Sequence, residues 1–348
     1  MTLANRAIDW SERGRVPDAL IRVGIRRLLK DRLRTLGDRS PEAARIRTAR
    51  FVESMRTWPI ADLPAKANEQ HYEVPAEFFR WVLGPHRKYS SGWWPEGVTS
   101  LAAAEAISLQ ETCDHAALAD GQRILELGCG WGSLTLWMAE HYRSSQIVAI
   151  SNSVSQGEYI MSEARRRGLG NIEHRVADMN TFAIPGRFDR VVSIEMFEHM
   201  RNWPALLARI AAALNPSGKL MLHVFCHRSV PYLFEDREGS DWMSRYFFSG
   251  GLMPSDTMPS FLQDSLQLRH TWRWEGTHYQ RTARAWLENL DTHRERVLPI
   301  LRDVYGKENE QLWFQRWRMF FMACEELFGY AGGQEWWVAH ALFEKPAA

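Results

Sequence analysis

The sequence predicts an α/β fold built on a mostly parallel sheet of seven strands. Two observations support this fold class. First, the apolar segment of residues 123–127 runs directly into Gly128, Gly130 and Gly132, a pattern typical of a buried strand that turns tightly into a helix. Second, strand-like and helix-like segments alternate from there to residue 224, as in parallel sheets that helices cover on both faces.

Each further element is expected where apolar periodicity changes between turn signals. Strands are expected at residues 123–127, 146–150, 172–176, 188–194, 219–224, 268–274 and 336–343. Helices are expected at residues 76–83, 101–118, 133–141, 153–167, 203–214, 258–266, 282–305 and 309–330, with an irregular insertion at 229–253.

The first 70 residues are expected to form a helical extension that precedes a catalytic domain at residues 71–348. One helix face carries Ile21, Ile25, Leu28, Leu29, Leu33 and Leu36, and Arg22, Arg26, Arg27, Lys30 and Arg34 lie around the rest. A basic amphipathic helix can bind anionic lipid. It can also cap its own domain with its basic side chains in solvent, and we expect the cap.

Composition limits the function classes. Apolar residues make up 45% of the 348 residues and the formal net charge is +1, which is ordinary for a globular protein and gives no reason to expect nucleic acid. The four cysteines lie far apart without a C-x-x-C pair, which disfavours a metal site or disulfides and fits a reducing cytosol. No apolar run approaches the ~18 residues of a membrane span, so we expect a cytoplasmic protein without stable membrane insertion.

The glycine loop and the acidic residue before it indicate the cofactor. The spacing is G-x-G-x-G rather than the G-x-G-x-x-G of dinucleotide folds, and Glu126 stands two residues before Gly128. Glycine lets a ligand lie against the backbone N–H groups. S-adenosylmethionine has no pyrophosphate to hold, and its ammonium suits a nearby carboxylate. The alternative is a strand–turn–helix without a ligand.

The ends of the following strands supply further candidates, because ligands bind beyond the carboxyl ends of parallel strands. Asp178 could accept a hydrogen bond from an adenine amino group, although turn aspartates are common. Ser151 and Asn152 end the second strand without the usual acidic partner for ribose hydroxyls, and Gln156 could substitute for it.

The fourth strand ends in Ser193-Ile-Glu-Met-Phe-Glu-His-Met200. Glu195, Glu198 and His199 could hold a cation at the cofactor's reactive end and take its proton. In this interpretation Glu195 holds the cation, whereas Glu198 and His199 act as bases. The alternative is a solvated turn, which Phe197 and two methionines make less suitable.

Together these residues resemble the coclaurine N-methyltransferase-like branch of the cyclopropane fatty acid synthase superfamily of S-adenosylmethionine methyltransferases. The matching segments cover nearly the whole chain: His71–Pro75, Lys88–Ser90, Leu125–Gly132, Ser151–Gln156, Ser193–Met200, Arg245–Phe248 with Gly250 and Gly251, Gly276–Tyr279, Arg316–Tyr330 and Glu335–Lys345. The resemblance implies a Rossmann-like class I methyltransferase fold.

The resemblance also implies site residues. The cofactor-binding residues expected from the motifs and the resemblance are Tyr89, Ser90, Glu126, Gly128, Gly130, Ser151, Asn152, Gln156, Asp178, Met179 and Ile194. The residues expected to contact the substrate are Trp93, Phe197, His223 and Tyr279, beside the catalytic set of Glu195, Glu198 and His199.

The resemblance further separates two reaction types. Cyclopropane synthases have glycine where Glu195 stands, and they hold a bicarbonate base with a cysteine, a tyrosine, and the residues that correspond to Glu198 and His223. Here the cysteine position is Ser91 and the tyrosine position is Leu287. Two bicarbonate ligands are therefore absent, which disfavours cyclopropanation.

We therefore predict an S-adenosylmethionine-dependent N-methyltransferase that acts on a small amine expected to carry an aromatic ring. An aliphatic amine with a pKa near ~10 must first lose a proton, which costs about 4 kcal/mol at pH 7. The alternatives are a lipid-modifying methyltransferase or cyclopropane synthase, and a cofactor-binding protein without turnover. A homodimer is one assembly that the sequence permits.

Overall fold

The computed structural model describes residues 3–37, 39–62, 74–184, 186–234 and 242–347. Seven strands form one sheet in the order β3-β2-β1-β4-β5-β9-β8. All neighbouring strands pair in parallel up to β5, and β9 pairs antiparallel with both β5 and β8. The predicted fold class, a mostly parallel sheet of seven strands, is confirmed.

The strands are β1 (Arg123–Leu127), β2 (Gln146–Ser151), β3 (Ile172–Val176), β4 (Phe188–Ile194), β5 (Leu214–His227), β6 (Tyr232–Leu233), β7 (Leu252–Met253), β8 (Gln267–Trp274) and β9 (Trp336–Glu344). The helices are α1 (Leu3–Glu12), α2 (Asp18–Thr35), α3 (Pro41–Met55), α4 (Ala76–Val82), α5 (Leu101–His115), α6 (Ser133–His141), α7 (Val154–Arg166), α8 (Trp203–Ala213), α9 (Trp242–Tyr246), α10 (Gly276–Thr292), α11 (Arg294–Tyr305) and α12 (Glu310–Gly329).

Two predicted helices are wrong in form. The helix expected at 258–266 is only a 3₁₀ turn, Met258–Phe261. The single helix expected at 282–305 is two helices, because His293 interrupts it with φ −97° and ψ 20°. Periodicity did not reveal either difference, since both segments keep helical spacing of their apolar side chains up to the break.

Parallel pairing brings the ends of three strands to one edge. Leu127 of β1 lies opposite Ser193 of β4, and Ile194 lies opposite His223 of β5. The backbone N–H of Glu195 then donates to the carbonyl of His223, which extends the ladder by one residue. The first residues beyond β1 and β4 therefore share one side of the sheet.

Helix α2 packs against α12 through both apolar and charged side chains. Ile21 is buried, whereas Leu28 is 66% exposed and does not belong to the packed face, contrary to the predicted stripe. Arg22 pairs with the buried carboxylate of Glu325 at 2.7 Å. Asp18 pairs with Arg318 at 2.6 Å. Part of the basic face of α2 therefore contacts α12 and is only partly exposed to solvent.

Within the described residues, no helix combines the length and the apolar character that crossing a bilayer requires.

Candidate active site

A cavity lies beyond the carboxyl ends of β1 and β4. Ten of the predicted site residues line it: Tyr89, Ser90, Glu126, Gly128, Gly130, Gln156, Ile194, Glu195, His199 and Tyr279. The glycine loop and the end of β4, which are far apart in the sequence, thus face the same space.

The two glycines of the loop are required for different reasons. Both have positive φ, 80° at Gly128 and 50° at Gly130, a region that favours glycine. A Cβ at Gly128 would lie 2.6 Å from the side chain of Met196, whereas a Cβ at Gly130 would meet no described atom within 4 Å. The prediction that a Cβ would occupy ligand space therefore fits Gly130, and at Gly128 the obstacle is Met196.

Buried polar groups line the loop side of the cavity. Burial raises the pKa of Glu126 to about 8, although its carboxylate accepts a hydrogen bond from Thr135. Gln156 is fully buried, and neither Oε1 nor Nε2 has a hydrogen-bond partner among the described residues. Unpaired buried amide atoms are costly, so a polar ligand is their natural partner. A cation beside Glu126 would stabilise its charged form.

Glu195 occupies the centre of the predicted catalytic set. Its backbone has φ 47°, an uncommon conformation for a residue with a side chain. Its carboxylate accepts hydrogen bonds from the hydroxyl of Tyr279 at 2.7 Å and from the backbone N–H of Ser91 at 3.1 Å. Its Oε1 also lies 3.2 Å from Nε2 of His223. Strain at a functional position is typically maintained by such surrounding contacts.

Glu195 combines a charged carboxylate at neutral pH with a pKa above that of an ordinary glutamate. Burial raises the pKa of Glu195, and the Lys88 ammonium with the hydrogen bonds of Tyr279 and Ser91 opposes that rise, so the pKa is about 6. A carboxylate with this pKa is largely ionised at pH 7 and can still take a proton without a large penalty.

His199 and Glu198 are adjacent but lie in different surroundings. His199 lines the cavity and stacks on Phe248 at 4.3 Å, and burial lowers the pKa of His199 to about 4. Glu198 is fully buried and does not line the cavity. Its Oε1 accepts from the backbone N–H of Phe225 at 2.8 Å. The predicted pair of bases is thus not formed, because Glu198 faces the end of β5.

Protonation explains why Glu198 is unsuited to be a base. Burial, together with the nearby charge of Glu195, raises the pKa of Glu198 well above its ordinary value. Its Oε2 has no hydrogen-bond partner in the described part of the chain. Burial of this kind favours the neutral carboxyl group over the carboxylate.

Lys88 is a functional candidate that sequence reasoning missed. Its ammonium is buried and donates to the hydroxyl of Ser90 at 2.6 Å and to the carbonyl of Ser91 at 2.8 Å. Burial lowers the pKa of Lys88 to about 8, against the attraction of Glu195 and Glu105. No local pattern marks a single lysine as buried, and its place beside Tyr89 and Ser90 was the available signal.

Helices α10 and α12 and the insertion before β8 complete the cavity wall. Sequence reasoning did not assign these residues to the site: Phe234, Met243, Phe248, Trp286, Phe320, Cys324, Leu327 and Phe328. Their aromatic rings provide apolar surface and π faces opposite Glu195, which suits a cation with an apolar body.

The remaining predicted residues lie outside the cavity lining, and their assignments stay predictions. Ser151 bonds with the carbonyl of Ser153, and the exposed Asp178 accepts from the N–H of Asn180. Asn152 and Met179 follow the same two strands. The matching segment His71–Pro75 lies partly outside the described residues, since the structure describes none of 71–73.

Three of the residues that were predicted to contact the substrate do not line the cavity. Phe197 is buried in the core against Trp203 at 5.1 Å. Trp93 stacks on His278 at 4.0 Å. His223 is fully buried and reaches the cavity only through Glu195. Of the four residues expected to contact the substrate, Tyr279 alone lines the cavity.

The residues present therefore fit S-adenosylmethionine. The open glycine loop, the buried carboxyl of Glu126, the Gln156 amide without a partner among the described residues, and Glu195 all line one cavity. Among the described residues, no group of three His, Cys, Asp or Glu side chains is arranged to hold a metal ion.

Comparison with known proteins identifies the family of the chain. The chain is 35% identical to (S)-coclaurine N-methyltransferase of Thalictrum flavum subsp. glaucum, over 96% of this chain and 94% of that protein. A crystal structure of coclaurine N-methyltransferase bound to N-methylheliamine and SAH is 34% identical, with a TM-score of 0.95 over 99% of this chain and 100% of that one. The cyclopropane-fatty-acyl-phospholipid synthase of Escherichia coli (strain K12) is more distant, at 28% identity over 78% of this chain and 66% of that protein.

The family model for mycolic acid cyclopropane synthetase matches residues 62–334. With its cofactor site and its similarity to coclaurine N-methyltransferases, the chain belongs to this family of S-adenosylmethionine-dependent methyltransferases, in the N-methyltransferase branch.

Proposed function

We propose that the protein methylates the nitrogen of a small amine that carries an aromatic ring, with Glu195 as the group that binds the ammonium and accepts its proton. The observation that carries this proposal is the placement of Glu195 at the cavity wall with a pKa of about 6. The coclaurine N-methyltransferase relatives act on amines, as their names state.

S-adenosylmethionine supplies an electrophilic methyl group on a positively charged sulfur. Gly130 would leave room for the cofactor beside Gly128, and Glu126 would face the cofactor's ammonium. Gln156 would use its unpaired amide to hydrogen-bond polar groups of the cofactor. Tyr89 and Ser90 would close the other side of the same cavity.

Substrate binding brings a second cation next to a sulfonium. The ionised carboxylate of Glu195 offsets part of that repulsion, and aromatic faces such as Trp286 and Phe328 stabilise a cation without adding charge. His199 remains neutral at pH 7 because burial lowers its pKa to about 4. It therefore adds no third positive charge.

Proton transfer then creates the nucleophile. An N–H bond of the substrate ammonium breaks and an O–H bond forms on Glu195, which leaves a neutral amine with a free lone pair. A positioned base typically contributes ~10²–10⁴-fold to the rate. The hydroxyl of Tyr279 and the N–H of Ser91 fix the orientation of the carboxylate during this step.

Labelled cofactor and an amine panel test the function. Incubation with methyl-labelled S-adenosylmethionine should transfer label to aromatic-bearing amines and leave their ether analogues, which lack the nitrogen, unlabelled. Mass spectrometry of the products locates the methyl group. Label in ether analogues or in acyl chains, or cofactor binding without turnover against the whole panel, would contradict the proposal.

The cellular setting and the assembly are part of the proposal. We propose a cytoplasmic enzyme, which agrees with four cysteines that are all free thiols. We also propose that the protein forms a homodimer. Light scattering across a range of concentrations measures the mass of the assembly.

A further inference from the structure

Three histidines form a hydrogen-bonded row behind Glu195. Nε2 of His223 lies 3.2 Å from Oε1 of Glu195, and its Nδ1 lies 2.8 Å from Nε2 of His340. Nδ1 of His340 lies 2.7 Å from Nδ1 of His115. His223 on β5 and His340 on β9 are register partners, and His115 ends α5. We call His223, His340 and His115 the histidine row.

The histidine row connects the cavity with the protein surface. At its outer end, Nε2 of His115 lies 3.5 Å from a carboxylate oxygen of Glu111, whose side chain is 41% exposed. Between the two ends, His223 and His340 are fully buried. Trp272 stacks on His115 at 3.9 Å and Trp274 lies 4.2 Å from His340, so aromatic rings flank the row.

Every ring of the row is neutral at pH 7. Burial is the largest cause that lowers the pKa of His223 and His340 well below the ordinary value, and the Lys88 ammonium adds to it. Burial also lowers the pKa of His115 to about 4; Asp114 opposes this shift and His270 adds to it. A neutral imidazole has one N–H donor and one acceptor nitrogen, so each ring can bond both of its neighbours.

A purely structural role explains this arrangement poorly. Burying polar rings costs free energy that apolar side chains of similar size avoid. A run of alternating donors and acceptors between a buried carboxylate and the surface is, however, what stepwise proton movement needs.

We propose that the histidine row conducts the proton of the substrate amine from Glu195 to the surface at His115. This inference rests on the proposed role of Glu195 as the proton acceptor. Methylation of an ammonium substrate that yields an ammonium product releases one proton per turnover, and that proton must leave Glu195 before the next turnover.

The transfer balances without any other reactant. The O–H bond on Glu195 breaks as Nε2–H of His223 forms, while the proton on its Nδ1 passes to Nε2 of His340. The proton on Nδ1 of His340 passes to Nδ1 of His115, and the proton on Nε2 of His115 leaves to Glu111 or solvent. All three rings then carry their proton on the nitrogen nearer the site, and they must exchange tautomers before the next turnover.

A single-turnover experiment tests the row in the full-length enzyme. A weakly buffered pH indicator reports proton release while quenched samples report methyl transfer to an amine identified by the panel. In the wild type both signals should rise together. In His340→Gln, whose amide keeps hydrogen-bonding atoms but does not shuttle a proton, proton release should lag, and steady-state kcat should fall about 10²-fold with KM little changed.

The control is His141→Ala, which removes an exposed imidazole that stacks on Trp137 and does not contact the row. It should behave as the wild type. If proton release in His340→Gln keeps pace with methyl transfer at the wild-type rate, the proton does not use the row. If the wild type itself fails to methylate any amine, the proposed function is wrong instead.

A second variant keeps the test valid where His340→Gln does not fold. His115→Ala opens a space at the partly exposed end of the row, and added imidazole should restore both proton release and kcat there. A merely structural loss would not respond to imidazole in proportion to the basicity of substituted imidazoles. An absent or basicity-independent rescue would overturn the proposal.

Discussion

At Glu195 the chain leaves β4 in the left-handed region, with φ 47°, and turns its carboxylate towards Tyr279 and Ser91. Such a conformation costs about 1–3 kcal/mol and persists where surrounding contacts hold it. The hydrogen bonds to the carboxylate supply these contacts. Backbone strain and a raised pKa thus occur at one residue, which the sequence motif identified as the group that holds the cation but not as the base.

Replacement of Glu195 by glutamine tests its role as the base. At pH 7 we expect kcat to fall ~10²–10⁴-fold. The raised pKa of about 6 means that the wild-type carboxylate ionises, and activity therefore rises, as pH increases through 6. Glu195→Gln should not show this rise in activity, and its deficit should shrink near pH 10, where about half of the free amine is already neutral. If activity of the variant still rises with pH near 6, that rise reflects the ionisation of a group other than Glu195.

Glu198 should behave differently from Glu195, although both are glutamates of one motif. Because Glu198 does not line the cavity and burial raises its pKa, which favours its neutral form, Glu198→Gln should retain kcat within a few-fold. Glu198→Ala leaves the N–H of Phe225 without its acceptor and should lower the free energy of unfolding by about 1–3 kcal/mol. Urea unfolding and steady-state kinetics measure both effects. A kcat for Glu198→Gln as low as that of Glu195→Gln would show that Glu198 is a second base.

Gly130→Val tests whether the glycine loop faces the cofactor. The new side chain would project where no described atom lies within 4 Å, so it should abolish S-adenosylmethionine binding in calorimetry. Gly168→Val is the matched control, because Gly168 also has positive φ and open space but lies away from the cavity. Equal affinity in Gly130→Val and the wild type would leave the loop with a structural role only.

At the scale of elements, the docking of α2 onto α12 connects the N-terminal helices with the cavity, since Phe320, Cys324, Leu327 and Phe328 of α12 line it. Arg22→Ala removes a partner of the buried Glu325, which keeps its pairing with Arg284. We expect a loss of about 1–3 kcal/mol in urea unfolding.

The exposed pair of Arg34 and Asp31 provides the control for this contact. Arg34→Ala should change stability by less than ~0.5 kcal/mol. Equal effects of the two variants would mean that α2 does not dock through Arg22. If the helix binds membrane instead, the wild type should pellet with anionic vesicles and be released by high salt.

Element positions were largely predictable, and their exceptions have physical causes. The bounds of β1, β3, β4 and α6 follow the sequence pattern directly, because apolar runs there end at glycines or polar turns. The break at His293 was not predictable, since no proline or glycine marks it. The roles of Lys88, His340 and His115 were not predictable either, because their partners come from strands and helices that are distant in the chain.

Over the whole molecule, one strand order brings the cavity and the histidine row together. Strands β4, β5 and β9 are neighbours in the sheet, so a carboxylate at the end of β4 can reach histidines on the next two strands. The sequence predicted the parallel strands but not that His223 and His340 are register partners. The cofactor side of the site was therefore predictable from local motifs, whereas the proton path depends on long-range pairing.

The whole-molecule prediction concerns reaction type. Cyclopropanation creates a carbocation that needs a bound anion as base, and the family resemblance places Ser91 and Leu287 at two of the bicarbonate positions. Both are buried, and the hydroxyl of Ser91 already donates to the carbonyl of Gly92. We expect no cyclopropane when the enzyme and S-adenosylmethionine are incubated with unsaturated phospholipid. Mass spectrometry of the recovered acyl chains measures this, with methylation of an added amine as the internal control. The expectation rests on Leu287, whose apolar side chain cannot hold the anion that cyclopropanation requires. Cyclopropane-containing acyl chains formed as fast as methylated amine would therefore contradict it.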